Sequence, residues 1–296
     1  MKIDAVFSGG GVKAYAFLGA LQSITNKGYT IERVAGTSAG AIVAAFLAAN
    51  YRADEINDLI KGLDLKLLLD PPKISDVIPF SKWLFLYFQM GIYKGDKMEG
   101  WLYERLAEKN IYTFDDLKPE YLKVVVSDLT LGKLVVIPDD LERIYGLHPK
   151  YFSVAKAIRM SAGFPYFFMP KKLAGKTNQK SMIVDGGLLS NFPLWIFENR
   201  NESITRPILG VKLSGELSSQ QPRKIKNALE MFHGLFSTMK QAHDSRYISK
   251  SQKNNIIFIP VKDVETTNFS ISEETKLRLI ETGKTSAERF LKYWPK

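Results

Sequence analysis

Gly36-Thr37-Ser38-Ala39-Gly40 places a serine between glycines two residues to either side. That spacing suits a sharp turn from a strand into a helix, where bare flanking positions leave Oγ exposed at the helix N-terminus. A helix N-terminus also favours developing negative charge. Upstream, Gly9-Gly10-Gly11-Val12-Lys13 sits between a strand-like and a helix-like segment. Its bare N–H groups can approach an oxyanion to about 2.7–3.1 Å. The two segments together predict a serine nucleophile facing an anion hole.

A serine hydroxyl needs a base. His148, His233 and His243 are the histidines available for a triad in the order Ser, Asp, His. None has a catalytic context: His148 precedes Pro149 in a loop, and the other two fall in a long polar helical pattern. A carboxylate is the better candidate. Asp185, in Ser181-Met182-Ile183-Val184-Asp185, stands at the end of an apolar strand and is followed by Gly186-Gly187, where a side chain emerges beside open backbone. A competing pattern exists. Gly9-x-Gly11-x-x-Ala14, with Glu32 about 20 residues on, fits a dinucleotide fingerprint and an NAD(P)-binding oxidoreductase. That alternative leaves the serine elbow unexplained.

The elements that must position these residues alternate. Strand patterns at 2–8, 31–35, 122–127, 133–137, 181–184, 207–213 and 255–260 are interleaved with helical ones. This predicts an α/β fold, a three-layer α/β/α sandwich with a mostly parallel central sheet. A first helix is expected over about 12–26, where Ala14, Ala16, Gly19 and Ala20 would let its backbone approach the sheet, with Gly28 ending it. An alanine-rich helix, buried on most sides, is expected over 39–50. Residues 64–100 read as a candidate cap, with Pro71, Pro72, Pro79 and Gly91 interrupting an aromatic cluster. A polar helical pattern runs over about 223–250, and Ser272-Glu273-Glu274 opens an amphipathic helix reaching Tyr293. One domain spanning 1–296 is the simplest account.

Bulk properties narrow the setting. The chain has 296 residues, 45% of them apolar, enough for a single well-buried core. It has no cysteine, which removes disulfides, thiolate metal sites and a thiol nucleophile. The N-terminal segment MKIDAVFSGG lacks the features of a secretory leader, so the protein is expected to start there and to be cytoplasmic. No apolar run reaches the roughly 18 residues of a membrane span; the densest is Trp83-Leu84-Phe85-Leu86-Tyr87-Phe88. A formal charge of +10 together with that cluster suits peripheral contact with anionic membrane. The basic residues form no block of five or six and no nucleic-acid partner is expected.

The chain resembles the patatin-like phospholipase family in the Gly9–Lys13 segment, the Gly36–Gly40 elbow and the Asp185-Gly186-Gly187 turn, in that order. Met160-Ser161-Ala162-Gly163-Phe164-Pro165 through Pro170 resembles the family's segment before the aspartate, and Asn191-Phe192-Pro193 the one after it. The resemblance covers about residues 3–215, and Lys13-Ala14 departs from it where arginine and glycine are frequent. It implies a modified α/β-hydrolase-like fold in which Ser38 is the nucleophile and Asp185 its direct base. It assigns the oxyanion hole to N–H groups of Gly10, Gly11 and Ala39, with Gly9, Lys13, Gly36, Gly40, Gly186 and Gly187 supporting. The implied reaction is hydrolysis of a phospholipid or other lipid ester through an acyl-enzyme, with no cofactor or metal. A transacylase, or a lipid-binding protein with weak hydrolysis, would keep the same pocket. A carboxylate of ordinary pKa near 3.9 is a weak base for an alcohol, so such chemistry demands a desolvated site and a short hydrogen bond to the hydroxyl.

Overall fold

The computed structural model describes residues 1–71, 86–176, 179–198, 206–214, 225–226, 230–232, 234–239, 252–261 and 264–295. The strands are β1 (Lys2–Phe7), β2 (Thr30–Thr37), β3 (Gly91–Tyr93), β4 (Leu122–Asp128), β5 (Lys133–Ile137), β6 (Tyr166–Phe168), β7 (Lys171–Leu173), β8 (Ser181–Asp185), β9 (Ile208–Ser214) and β10 (Ile256–Pro260). The α-helices are α1 (Tyr15–Asn26), α2 (Ala39–Ala48), α3 (Ala53–Lys61), α4 (Asp96–Ala107), α5 (Val154–Ser161) and α6 (Glu273–Leu291). The seven strands expected from period-2 patterning are present with ends shifted by a residue or two. The strands β3, β6 and β7 have three residues each, too few for any alternation to register.

The central sheet runs β10-β9-β1-β2-β4-β8-β7, with β5 also on β4. Pairing is parallel from β10 through β4 and antiparallel at β5, β8 and β7. The fold is therefore the α/β class with a mostly parallel sheet. Side chains alternate across it as the pleat requires. Ile3, Ala5, Phe7, Val34, Val124, Val126, Leu209 and Val211 join one core with the buried faces of α1 through α6. Val6, Ala35 and Ile256 face the other way, where Phe192, Leu194 and Phe197 cover them. Among the described residues, that second layer is built from short 3-10 turns rather than α-helices.

The strand β4 is the hub. Its residues Leu122–Val125 pair with Val34–Thr37 of β2, and Val126–Asp128 pair with Ile183–Asp185 of β8. Because β5 occupies the other edge over Val124–Asp128, β2 and β8 must share one edge of β4. They run in opposite directions along it and end face to face: Thr37 opposite Val125, Asp185 opposite Val126.

The first helical stretch starts as a 3-10 turn, Gly11–Ala14, and continues as α1, which ends at a left-handed Gly28 with φ 77°. Two of the small residues expected to serve the sheet, Ala16 and Gly19, meet another helix. A Cβ on Gly19 would collide with the Ile280 carbonyl, and one on Gly283 with the Ala16 carbonyl, so these glycines let α1 and α6 touch backbone to backbone. Residues 72–85, the middle of the expected cap, lie outside the described residues, as does most of 223–250. What flanks the former is tied into the domain: Asp70 accepts hydrogen bonds from the amides of Gly95 (2.5 Å), Asp96 (2.7 Å) and Lys97 (3.0 Å), capping α4. No helix among the described residues is long and apolar enough to cross a membrane.

Forcing a side chain between α1 and α6 should be felt globally. Gly283→Leu is expected to lower unfolding free energy by about 1–3 kcal/mol, read as a reduced urea midpoint. An unchanged midpoint would mean that the C-terminal helix contributes little to the folded state.

Candidate active site

Ser38 joins β2 to α2 with φ 55° and ψ −126°, a conformation that costs a non-glycine residue on the order of 1–3 kcal/mol. The turn is tight on both sides. A Cβ on Gly36 would meet the Gly40 backbone, and one on Gly40 would lie 2.5 Å from the carbonyl oxygens of Phe7 and Ser8. A serine preceding a helix ordinarily caps it with its hydroxyl, but Ser38 makes no such cap. Its Oγ instead donates to Asp185 Oδ2 at 2.7 Å.

Two residues 147 apart in sequence meet because of β4's shared edge. Asp185 is 2% exposed, closes β8, and accepts from the Gly187 amide through Oδ1 at 2.7 Å, which fixes the carboxylate's rotation. Backbone at Gly186 presses against Val125, where a Cβ would strike the Val125 carbonyl. The chain beyond is fastened to the elbow by Thr37 Oγ1, which donates to the Ser190 carbonyl at 3.0 Å.

The elbow has a clamp that sequence reasoning missed. Ser161, fully buried at the C-terminus of α5, accepts the Ser38 amide at 2.9 Å through Oγ and donates to the Val125 carbonyl at 2.6 Å. The only sequence signal was a small polar residue in an otherwise apolar stretch. Two residues back, buried Arg159 donates to the carbonyls of Gly95 (3.0 Å), Lys94 (2.6 Å) and Met169 (2.8 Å), pinning α5 to the loops that follow β3 and β6. Burial draws its guanidinium pKa down to about 10, against the nearby carboxylates of Glu99, Asp70 and Asp96.

The glycine loop crosses beside the elbow. Ser8 Oγ accepts from the Leu213 amide at 3.1 Å, and the Gly9 amide donates to the Asn191 carbonyl at 2.9 Å, so Gly9 is committed to holding the loop. Gly11 has φ 54°, and a Cβ there would collide with Thr266. The N–H groups of Gly10, Gly11 and Ala39 donate to nothing among the described residues. Gly11, Ser38 and Ala39 line one cavity of about 120 Å³; Gly10 does not line it and faces Leu213. The remaining walls are overwhelmingly apolar and come from distant segments, among them Ile42, Trp101, Phe164, Phe167 and Phe269.

Other candidates fall elsewhere. Lys13, half-buried, follows Gly11 in the 3-10 turn and does not line the cavity. His148 is exposed and its Nδ1 accepts from the Lys150 amide at 3.2 Å; His233 and His243 lie outside the described residues. Glu32 sits near the start of β2 and pairs with Lys2 at 3.2 Å. Parallel pairing puts it level with Ile3 and Asp4, roughly 15–20 Å along β1 from the glycine loop at about 3.3 Å per residue. A ribose-binding acid would have to stand at the other end of that strand.

Comparison with known proteins agrees with this architecture. Residues 5–198 match the model of the patatin-like phospholipases, and the chain belongs to that family. It is 47% identical to the uncharacterized protein YqhO of Bacillus subtilis (strain 168), over 99% of each chain. It is 25% identical to the uncharacterized NTE family protein Mb1092c of Mycobacterium bovis, over 72% of this chain and 49% of that one. Among solved structures it is similar in fold to VipD of Legionella pneumophila, with a TM-score of 0.58 and 22% identity, over 98% of this chain and 66% of VipD. It is also similar to the type III effector ExoU of Pseudomonas aeruginosa, with a TM-score of 0.54 and 17% identity, over 98% of this chain and 53% of ExoU. The chain thus spans between half and two thirds of these larger proteins.

Replacing Ser161 with alanine strips the Ser38 amide of its acceptor while leaving that amide in place. A stability loss of about 1–3 kcal/mol is expected by urea unfolding. An unchanged midpoint would show that the elbow amide finds another acceptor.

Proposed function

We propose that the protein is a serine lipid acyl hydrolase, a carboxylic ester hydrolase acting on phospholipids or related lipid esters. The observation that carries this reading is the 2.7 Å hydrogen bond from Ser38 Oγ to buried Asp185 Oδ2, with Ser38 in the wall of a cavity lined almost wholly by apolar side chains. Family membership supplies the substrate class.

In the proposed reaction Ser38 Oγ attacks the ester carbonyl carbon and passes its proton to Asp185 Oδ2. The carbonyl oxygen becomes an oxyanion beside the N–H groups of Gly11 and Ala39; Gly10, which does not line the cavity, is left out of the hole. Each such donor is worth roughly 3–4 kcal/mol in the transition state. The N-terminus of α2, ten residues long and aimed at the elbow, adds a positive dipole end. Collapse expels the alcohol, which takes the proton back from Asp185, and leaves an acyl chain esterified to Ser38. A water then attacks the acyl carbonyl carbon as Asp185 takes its proton; cleavage of the C–Oγ bond releases the fatty acid, and Ser38 Oγ takes the proton back from Asp185. The strained backbone at Ser38 supports the reading, since it withholds Oγ from helix capping and aims it at the carboxylate.

The position of Glu32 weighs against the dinucleotide alternative, because the glycine loop and the acid are at opposite ends of β1 and β2. The net charge of +10 supports peripheral contact with an anionic membrane.

A fluorophosphonate probe is expected to label wild-type protein and not Ser38→Ala, read by intact-protein mass spectrometry; labelling that persists in the variant moves the nucleophile elsewhere. Asp185→Asn should remain folded while turnover of a lipid ester falls about 10³-fold or more, with His148→Ala near wild type. A comparable loss at His148 would restore a histidine triad.

A further inference from the structure

Residues 230–232 and 234–239 are helical, and this stretch is apolar on two adjoining faces. Its inner face closes on the rim of the cavity. The Phe236 ring, 6% exposed, lies 4.8 Å from Phe164, which lines the cavity, and the Phe232 ring lies 4.5 Å from Tyr166. Phe164 is itself one residue beyond Gly163, whose carbonyl accepts the Asp185 amide at 3.0 Å. The outer face carries Met231, Leu235 and Met239 at a spacing of four, exposed by 53%, 57% and 43%. Ile225, 55% exposed, approaches Gly234 on the same stretch. An amphipathic helix normally buries its apolar residues, yet this row stands open.

We infer that Met231, Leu235 and Met239 form the surface by which the protein docks on a bilayer containing anionic lipid. The inference rests on the hydrolase reading and specifies where its substrate enters. Charge selects the occupant. Residues 223–250 contain six Lys or Arg against two acids, Glu230 and Asp244, in a chain of net charge +10. An apolar row within a stretch of sequence this basic suits a helix lying in a membrane interface, where buried apolar area and attraction to anionic lipid add. A second copy of the chain would bring two net charges of +10 together, which like-charge repulsion opposes. Position agrees with this occupant: Phe232 and Phe236, each next in sequence to a residue of the row, contact Tyr166 and the cavity-lining Phe164, so a lipid ester leaving the bilayer would reach the cavity past those contacts.

Docking is tested by sedimentation with phosphatidylcholine vesicles, with and without phosphatidylglycerol, read as bound protein without turnover. Wild type should bind the anionic vesicles and be released by salt. Met231→Ser/Leu235→Ser/Met239→Ser should lower partitioning about tenfold or more, whereas Leu277→Ser, a 49% exposed apolar residue on α6, should not. If circular dichroism shows the triple variant unfolded, Leu235→Ser alone should lower partitioning about threefold. Equal binding by wild type and variants, or no binding by wild type, overturns the inference. So does a wild-type dimer in sedimentation velocity that the triple variant dissolves, since that assigns the row to a second copy. Failure of fluorophosphonate labelling would instead sink the hydrolase reading without touching the binding result.

Discussion

Two strands ending face to face along one edge of β4 are what the rest of this structure depends on. Parallel β2 and antiparallel β8 stop at successive residues of that edge, Val125 and Val126, so the side chains just beyond and at their ends are forced together. Hydrogen-bond register in a sheet is specified by burial of one face, and here both faces of β4 are covered: a one-residue slip would put Val124 and Val126 on the wrong side. The precision of the Ser38–Asp185 contact is therefore inherited from the packing of valines rather than from any local feature of the two polar residues.

Strain at Ser38 is the local cost of this arrangement. A positive φ on a serine persists only where surroundings over-determine it. They do so here from three directions: the Gly36–Gly40 backbone contact, the bond from the Ser38 amide to Ser161, and the bond from its hydroxyl to Asp185. Ser161 joins the two halves of the site, since the same hydroxyl that receives the elbow amide also binds the Val125 carbonyl at the point where β2 and β8 meet. Behind it, Arg159 keeps α5 from sliding by gathering three carbonyls from loops on the far side of the helix.

The cavity follows a different logic. Its walls are drawn from the glycine loop, α2, the end of α3, α4, the residues after α5 and the segment before α6. No one of these contributes a pattern distinguishable from ordinary core packing. What makes the space a candidate acyl site under the proposed function is that Ser38 lines it together with Gly11 and Ala39, whose amides have no acceptor among the described residues.

By itself the sequence determined the α/β class, the strands long enough to alternate, the elbow, and Asp185 as the carboxylate of interest, because period-2 valine runs and glycines at fixed offsets are local requirements of backbone geometry. Ser272 as the start of the last helix was legible for the same reason: its hydroxyl accepts the Thr275 amide at 3.2 Å. Only tertiary structure decided that Gly19 serves a helix partner some 260 residues away rather than the sheet, that Ser161 holds the elbow, and that Glu32 stands at the wrong end of its strand for a dinucleotide. It also decided which apolar residues enclose a cavity instead of filling a core. Those outcomes depend on contacts between segments far apart in the chain, and no local period or spacing carries information about which distant surfaces will meet.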